Sequence, residues 1–104
     1  MVFALTKNGG LMAFPSIDEA EVYCEGSDVE KGLWLFFFED GSPLEPRFRR
    51  PPNGTYVLQR AISGLWLQER LEQVKSITGC GLKTLPQLVE LLKVERGKRA
   101  ARGI

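Results

Sequence analysis

Six large apolar residues stand in an unbroken run, Leu33-Trp34-Leu35-Phe36-Phe37-Phe38, and this run limits the fold more than any other part of the chain. At the two-residue period of a strand, Trp34, Phe36 and Phe38 fall on one face, and Leu33, Leu35 and Phe37 on the other. Neither face is polar, so the strand is expected to be covered on both sides or to lie inside a sheet. Glu39-Asp40-Gly41-Ser42 follows as a turn signal. The return segment then alternates Leu44, Pro46 and Phe48 against Glu45, Arg47 and Arg49. This predicts a β-hairpin with an apolar first strand and a half-wet second. Pro46 has no N–H to give a ladder, which pushes the second strand toward an edge or a bulge.

The flanking segments supply the other layers. Val2–Thr6 and Leu11–Phe14 are short apolar runs separated by a turn with Asn8-Gly9 at its centre, the strongest short hairpin signal, in which both turn residues are expected at positive φ. Ser16-Ile17-Asp18-Glu19 reads as a capping box opening a helix that reaches about Glu25. Ile17, Ala20 and Cys24 form its inner stripe and Gly26 its stop. Ser27–Gly32 reads as a polar connection. Arg50–Gly54 reads as a turn and Thr55–Ala61 as a further strand. Leu67, Leu71, Val74 and Thr78 recur at helical spacing, predicting a long helix over 65–78 stopped by Gly79. Gly79–Lys83, GCGLK, is then an interhelical link; its lysine beside Cys80 also suits a reactive thiol. Thr84, with Gln87 three residues on, caps a last helix with the stripe Leu85, Leu88, Val89 and Leu92. The order ββαβββαα predicts an α+β domain over residues 1–96, a mainly antiparallel sheet of about five strands with helices packed on one face. Residues 97–104 read as a basic, frayed tail.

Chemistry is constrained mostly by what is missing. The 104 residues include no histidine and two cysteines. That removes Ser-His and Cys-His nucleophiles and histidine acid–base work, and leaves too few Cys/His ligands for a protein-only zinc site. Neither GxxxxGK[ST] nor GxGxxG occurs. The reading is a non-enzymatic domain without cofactor or metal. No apolar run spans a bilayer and no basic leader precedes Val2–Thr6, so the expected address is the cytoplasm, with both cysteines reduced and buried.

Charge is unevenly placed. Residues 1–45 hold nine acids against two bases, and residues 46–104 hold twelve bases against four acids. Two candidate surfaces follow. Glu19, Glu21, Glu25, Asp28 and Glu30, next to Asp18, form an acidic set suited to a basic protein partner, where complementary charge speeds association and selects the partner. Arg47, Arg49 and Arg50, with Lys98, Arg99 and Arg102 in the tail, form a basic set suited to phosphates, with Phe48 and Tyr56 available for stacking on bases. Each also has a plain reading, as a solvated helix face for the acids and a charge-protected strand edge and helix end for the bases. The aromatic run itself reads as core.

The stretch Tyr23-Cys24-Glu25-Gly26, then Asp28-Val29-Glu30, Gly32, Trp34, Phe36-Phe37, Gly41 and Pro43-Leu44, resembles small bacterial proteins of the immunity type. There a helix runs into an acidic DVE-x-G connection, an aromatic strand and a D-G turn. The resemblance covers residues 16–48. It implies a small cytoplasmic protein that neutralises a cognate toxin. Where the toxin is a nuclease, the acids at 25, 28 and 30 are implied to sit in its basic cleft as phosphate mimics, flanked by Glu19 and Glu21.

Overall fold

The computed structural model describes residues 1–48 and the backbone of 56–102, with side chains through Glu95. The chain is α+β. Its strands are β1 (Val2–Thr6), β2 (Gly10–Phe14), β3 (Trp34–Phe38), β4 (Pro43–Phe48), β5 (Tyr56–Arg60) and β6 (Ser76–Thr78). Its helices are α1 (Ile17–Tyr23), α2 (Gly26–Glu30), a 3₁₀ helix (Leu67–Gln73) and α3 (Leu85–Arg102). The six strands form one sheet in the order β5-β4-β3-β1-β2-β6, antiparallel except for the β2–β6 pair.

Both expected hairpins form. β1 and β2 pair from Val2↔Phe14 to Leu5↔Leu11. Their turn closes with Gly9 N–H donating to Thr6 O at 3.1 Å, and the Thr6 hydroxyl accepts from Gly10 N–H at 3.0 Å. Of Asn8 and Gly9, Gly9 alone takes positive φ, at +90°, because the loop is longer than the two-residue turn that demands it of both. The β3–β4 turn places Gly41 at φ +89°. Buried Asp40 secures it: Oδ1 accepts from Ser42 N–H at 3.0 Å and from the Ser42 hydroxyl at 2.6 Å.

β3 pairs with β1 along its full length, from Thr6↔Trp34 to Val2↔Phe38, and both of its faces are used. On the first face, Phe36 joins Val2, Ala4, Phe14, Leu44, Tyr56 and Leu58 under Ala20, Cys24 and Val29 of α1 and α2. On the second, Phe37 joins Phe3, Leu5, Leu11 and Ile77 under Leu67 of the 3₁₀ helix and Leu88 and Leu92 of α3. The expectation that the helices pack on one face is therefore corrected. A sheet whose two central strands are apolar on both sides needs a layer on each.

Two elements differ from their sequence readings for tertiary reasons. Residues 65–78 form no long helix. The 3₁₀ helix is docked on the β3–β4 turn, with Leu67 N–H donating to Gly41 O and Gln68 Nε2 to Asp40 O, both at 2.8 Å. It stops at Val74, and Ser76–Thr78 then pairs in parallel with β2, Leu11↔Ile77 at its centre. That pairing satisfies the backbone along the free edge of β2, which a helix would have left open. The GCGLK link consequently joins a strand to a helix. Gly79 has φ +93°, and a Cβ there would run into the Ala13 carbonyl oxygen, so glycine is required. Cys80 in this link is exposed, against expectation, whereas Cys24 is buried; both are free thiols.

The helix expected to reach Glu25 ends at Tyr23, and the polar connection contains α2, with Gly26 as its first residue. β4 lies inside the sheet, with β5 at the edge. Pro46 is accommodated because the β3–β4 ladder has ended at Leu44 and Pro43 before reaching it. The Ser16 cap forms, without the return bond from Glu19 among the described residues, and the Thr84–Gln87 box forms in both directions. Glu19 N–H donates to Ser16 Oγ at 3.3 Å. At α3, Gln87 Oε1 accepts from Lys83 and Thr84 N–H at 2.8 and 3.1 Å, and Gln87 N–H donates to Thr84 Oγ1 at 3.4 Å. The α3 backbone continues through residues 97–102.

Candidate protein-binding surface

The acids at 18–30 ride on α1 and α2, which cover the first face of the sheet. Glu19, Glu25 and Glu30 are exposed, and Asp28 is half-buried. Among the described residues, none of these four nor Asp18 is ion-paired. Asp28 points away from the rest: it lines a small cavity of about 230 Å³ with Lys7, Asn8 and Trp34.

Glu21 does something else. Its carboxylate accepts from Leu58 N–H at 2.7 Å. Ala61 N–H bonds Pro43 O, so by alternation the Leu58 N–H points away from β4, out of the open edge of the sheet. Glu21 caps that edge from above. Tyr56 completes the attachment: its hydroxyl donates to Cys24 O at 2.7 Å and approaches Glu21 O at 3.4 Å, satisfying carbonyls at the helix end that have no partner within the helix. Of the five acids proposed for partner contact, Glu21 is thus already engaged within the fold.

This junction titrates. Burial, with a smaller push from the Asp28 carboxylate, raises the Cys24 thiol from 9.0 to about 12. Burial also raises the Tyr56 phenol, with Cys24 and Glu21 adding to it. Both groups keep their protons longer in the folded state. Their stabilising contribution is complete below the ordinary thiol value and is lost as pH rises, because the unfolded chain ionises first. Stability should therefore fall between pH 9.0 and about 12, by up to ~1.4 kcal/mol per pH unit for each group. Urea titrations across that range should show this, and Cys24→Ala should flatten the slope. A wild-type midpoint independent of pH would contradict the assignment.

Beside the acids lies an apolar element that the charge reading missed. Val22 is 86% exposed and Tyr23 57% exposed. With Phe14, Pro15, Asp18 and Glu19 they line an open groove of about 490 Å³. The Tyr23 ring is nevertheless fixed. Its centroid lies 5.5 Å from that of Phe14 and 6.4 Å from that of Trp34, edge-on to the latter. The signal was present in the helical period: with Ile17, Ala20 and Cys24 facing inward, Val22 necessarily falls on the outer face.

The basic set lies elsewhere. Arg47 is exposed and pairs with Val57 on the second face of the sheet. Arg49 and Arg50 lie outside the described residues, as does the turn expected at 50–54. Lys98, Arg99 and Arg102 belong to the α3 backbone. Tyr56 and Phe48, considered for base stacking, pack on each other at 5.8 Å on the first face, with Tyr56 buried. Among the described residues no three Cys, Asp or Glu are grouped to hold a metal ion, and no helix is long and apolar enough to cross a membrane.

No protein-family model, curated protein or solved structure matches the chain. What the fold defines is a small mixed-sheet α+β domain, and the functional reading rests on the surface just described.

Proposed function

We propose that this chain is a cytoplasmic protein-binding domain that acts by masking a basic partner, in the manner of an immunity protein on its toxin, and performs no catalysis. The observation that carries this reading is the outer face of α1. There a half-exposed tyrosine, held against Phe14 and Trp34, and an almost fully exposed valine sit beside acids that have no cationic partner among the described residues. Aromatic anchors held before binding lose little entropy on docking, and tend to dominate interface energies. Asp18 and Glu19 line the same groove, and Glu25 and Glu30 are exposed at the two ends of α2; together they steer a basic surface and disfavour an acidic one.

The test is affinity capture from the source cells, followed by purification of the retained protein. A basic protein should bind the wild type, and Tyr23→Ala and Glu25→Lys/Glu30→Lys should each weaken it about tenfold or more, the scale of an interface anchor. Arg47→Glu, on the other face, should leave binding unchanged. Circular dichroism should be unchanged in all the variants, and the melting temperature should fall only in Tyr23→Ala, which loses its ring contacts with Phe14 and Trp34. A partner that is acidic, or whose affinity survives both changes at α1 and α2, would overturn the proposal.

A further inference from the structure

The second face carries an unrelated feature of opposite charge. A cavity of about 490 Å³ opens between the β1–β2 turn, the entry to β3 and the 3₁₀ helix. Among the described residues, Lys7, Arg70 and Lys75 line it and no carboxylate does. Its apolar wall is Leu33 and Leu35, each more than a third exposed. Arg70 and Leu35 also line an adjoining cavity of about 260 Å³ that runs toward Leu65, so the two concavities form one trough with Arg70 at its waist, the three cations in the first part and Glu45 in the second.

Arg70 supplies a second, independent observation. Its Nε is buried and has no hydrogen-bond partner among the described residues. A buried donor without an acceptor is destabilising, and more so when it is charged. Such a guanidinium is relieved by an oxyanion that takes two of its N–H groups side by side. Glu45 lines only the adjoining cavity and Asp28 the small one on the other side of Lys7; neither lines the cavity that the three cations share.

We propose that this trough is a binding site for a small phosphorylated molecule, with its phosphate held by Lys7, Arg70 and Lys75 and its organic body laid over Leu33 and Leu35. Three cations facing one concavity match a phosphate or diphosphate, which carries about two charges near neutral pH, better than a single carboxylate. The volume is that of a small-ligand site, within roughly 300–1,000 Å³. The exposed leucines account for an organic body rather than a bare ion.

The site is testable with the intact chain by NMR titration, using inorganic pyrophosphate and phenyl phosphate as probes. Saturable binding is expected, with shifts confined to the Gly9 and Leu33 amides and the side chains of Arg70 and Lys75. Phenyl phosphate should bind more tightly than inorganic phosphate. Lys75→Ala should weaken pyrophosphate about tenfold, and Arg70→Lys, which keeps the charge but loses the fork, should do the same. Tyr23→Ala should have no effect, which separates this site from the partner surface. No saturable binding at millimolar probe would overturn the proposal. So would affinities indifferent to both substitutions, or binding of a single-stranded oligonucleotide without binding of pyrophosphate.

Discussion

Phe37→Ala should destabilise the protein by about 3–5 kcal/mol, and Phe36→Ala by a similar amount. The two side chains are neighbours in sequence, point to opposite faces and are each 2% exposed. Phe37 packs among Leu67, Leu88 and Leu92, and Phe36 among Ala20, Cys24 and Tyr56, whose ring centroid is 6.2 Å away. Removing either ring forfeits its transfer free energy and leaves a cavity that the stiff strands around it can only partly close. An ordinary domain has about 5–15 kcal/mol in total, so either variant approaches the limit of folding. Urea unfolding followed by circular dichroism measures both. The pair also tests the architecture. Were one face of the sheet open to water, one of the two substitutions would fall within about 0.5 kcal/mol of wild type, as surface changes do; that outcome would refute the two-layer core.

Glu21→Ala should cost about 1–3 kcal/mol, because it leaves the Leu58 N–H at the sheet edge without its charged acceptor. Glu21→Gln keeps an acceptor oxygen and should recover most of the loss. Glu19→Ala, two residues away but exposed, should stay within about 0.5 kcal/mol of wild type. The midpoint of urea unfolding should shift with no change in slope. Equal effects at positions 19 and 21 would mean that the edge cap contributes nothing. The comparison bears on function too, since a partner-binding assay with Glu21 variants would confuse lost contact with a loosened α1.

The acidic surface was legible only in part. Counting charges selects Glu19, Glu25 and Glu30, which are exposed, but it equally selects Glu21, whose carboxylate is spent on a strand 37 residues away. Nothing local distinguishes Glu21 from Glu19, because the distinction is made by what lies beneath α1. Val22 and Tyr23 were overlooked for the converse reason: apolar residues in an amphipathic helix are assumed to face inward. The trough on the second face was out of reach, since Lys7 comes from the β1–β2 turn, Arg70 from the 3₁₀ helix and Lys75 from the link to β6, and only the fold brings them together.

The amino-acid sequence alone determined those features whose physics is complete within a few residues. Asn8-Gly9 and Asp40-Gly41 make turns because the glycines reach positive φ. Ser16 and Thr84 start helices because their hydroxyls accept the first free N–H groups. The run from Trp34 to Phe38 is a strand covered on both faces because it has no polar side to show to water. The tertiary structure decided the features that depend on a distant partner. Residues 76–78 became a strand because β2 presented an unpaired edge. The helices divided between two faces because each face of the sheet needed covering. Pro46 sits inside the sheet because the ladder beside it had already ended. In each case an unpaired backbone group or an uncovered apolar face outweighed a local preference of a few tenths of a kcal/mol per residue.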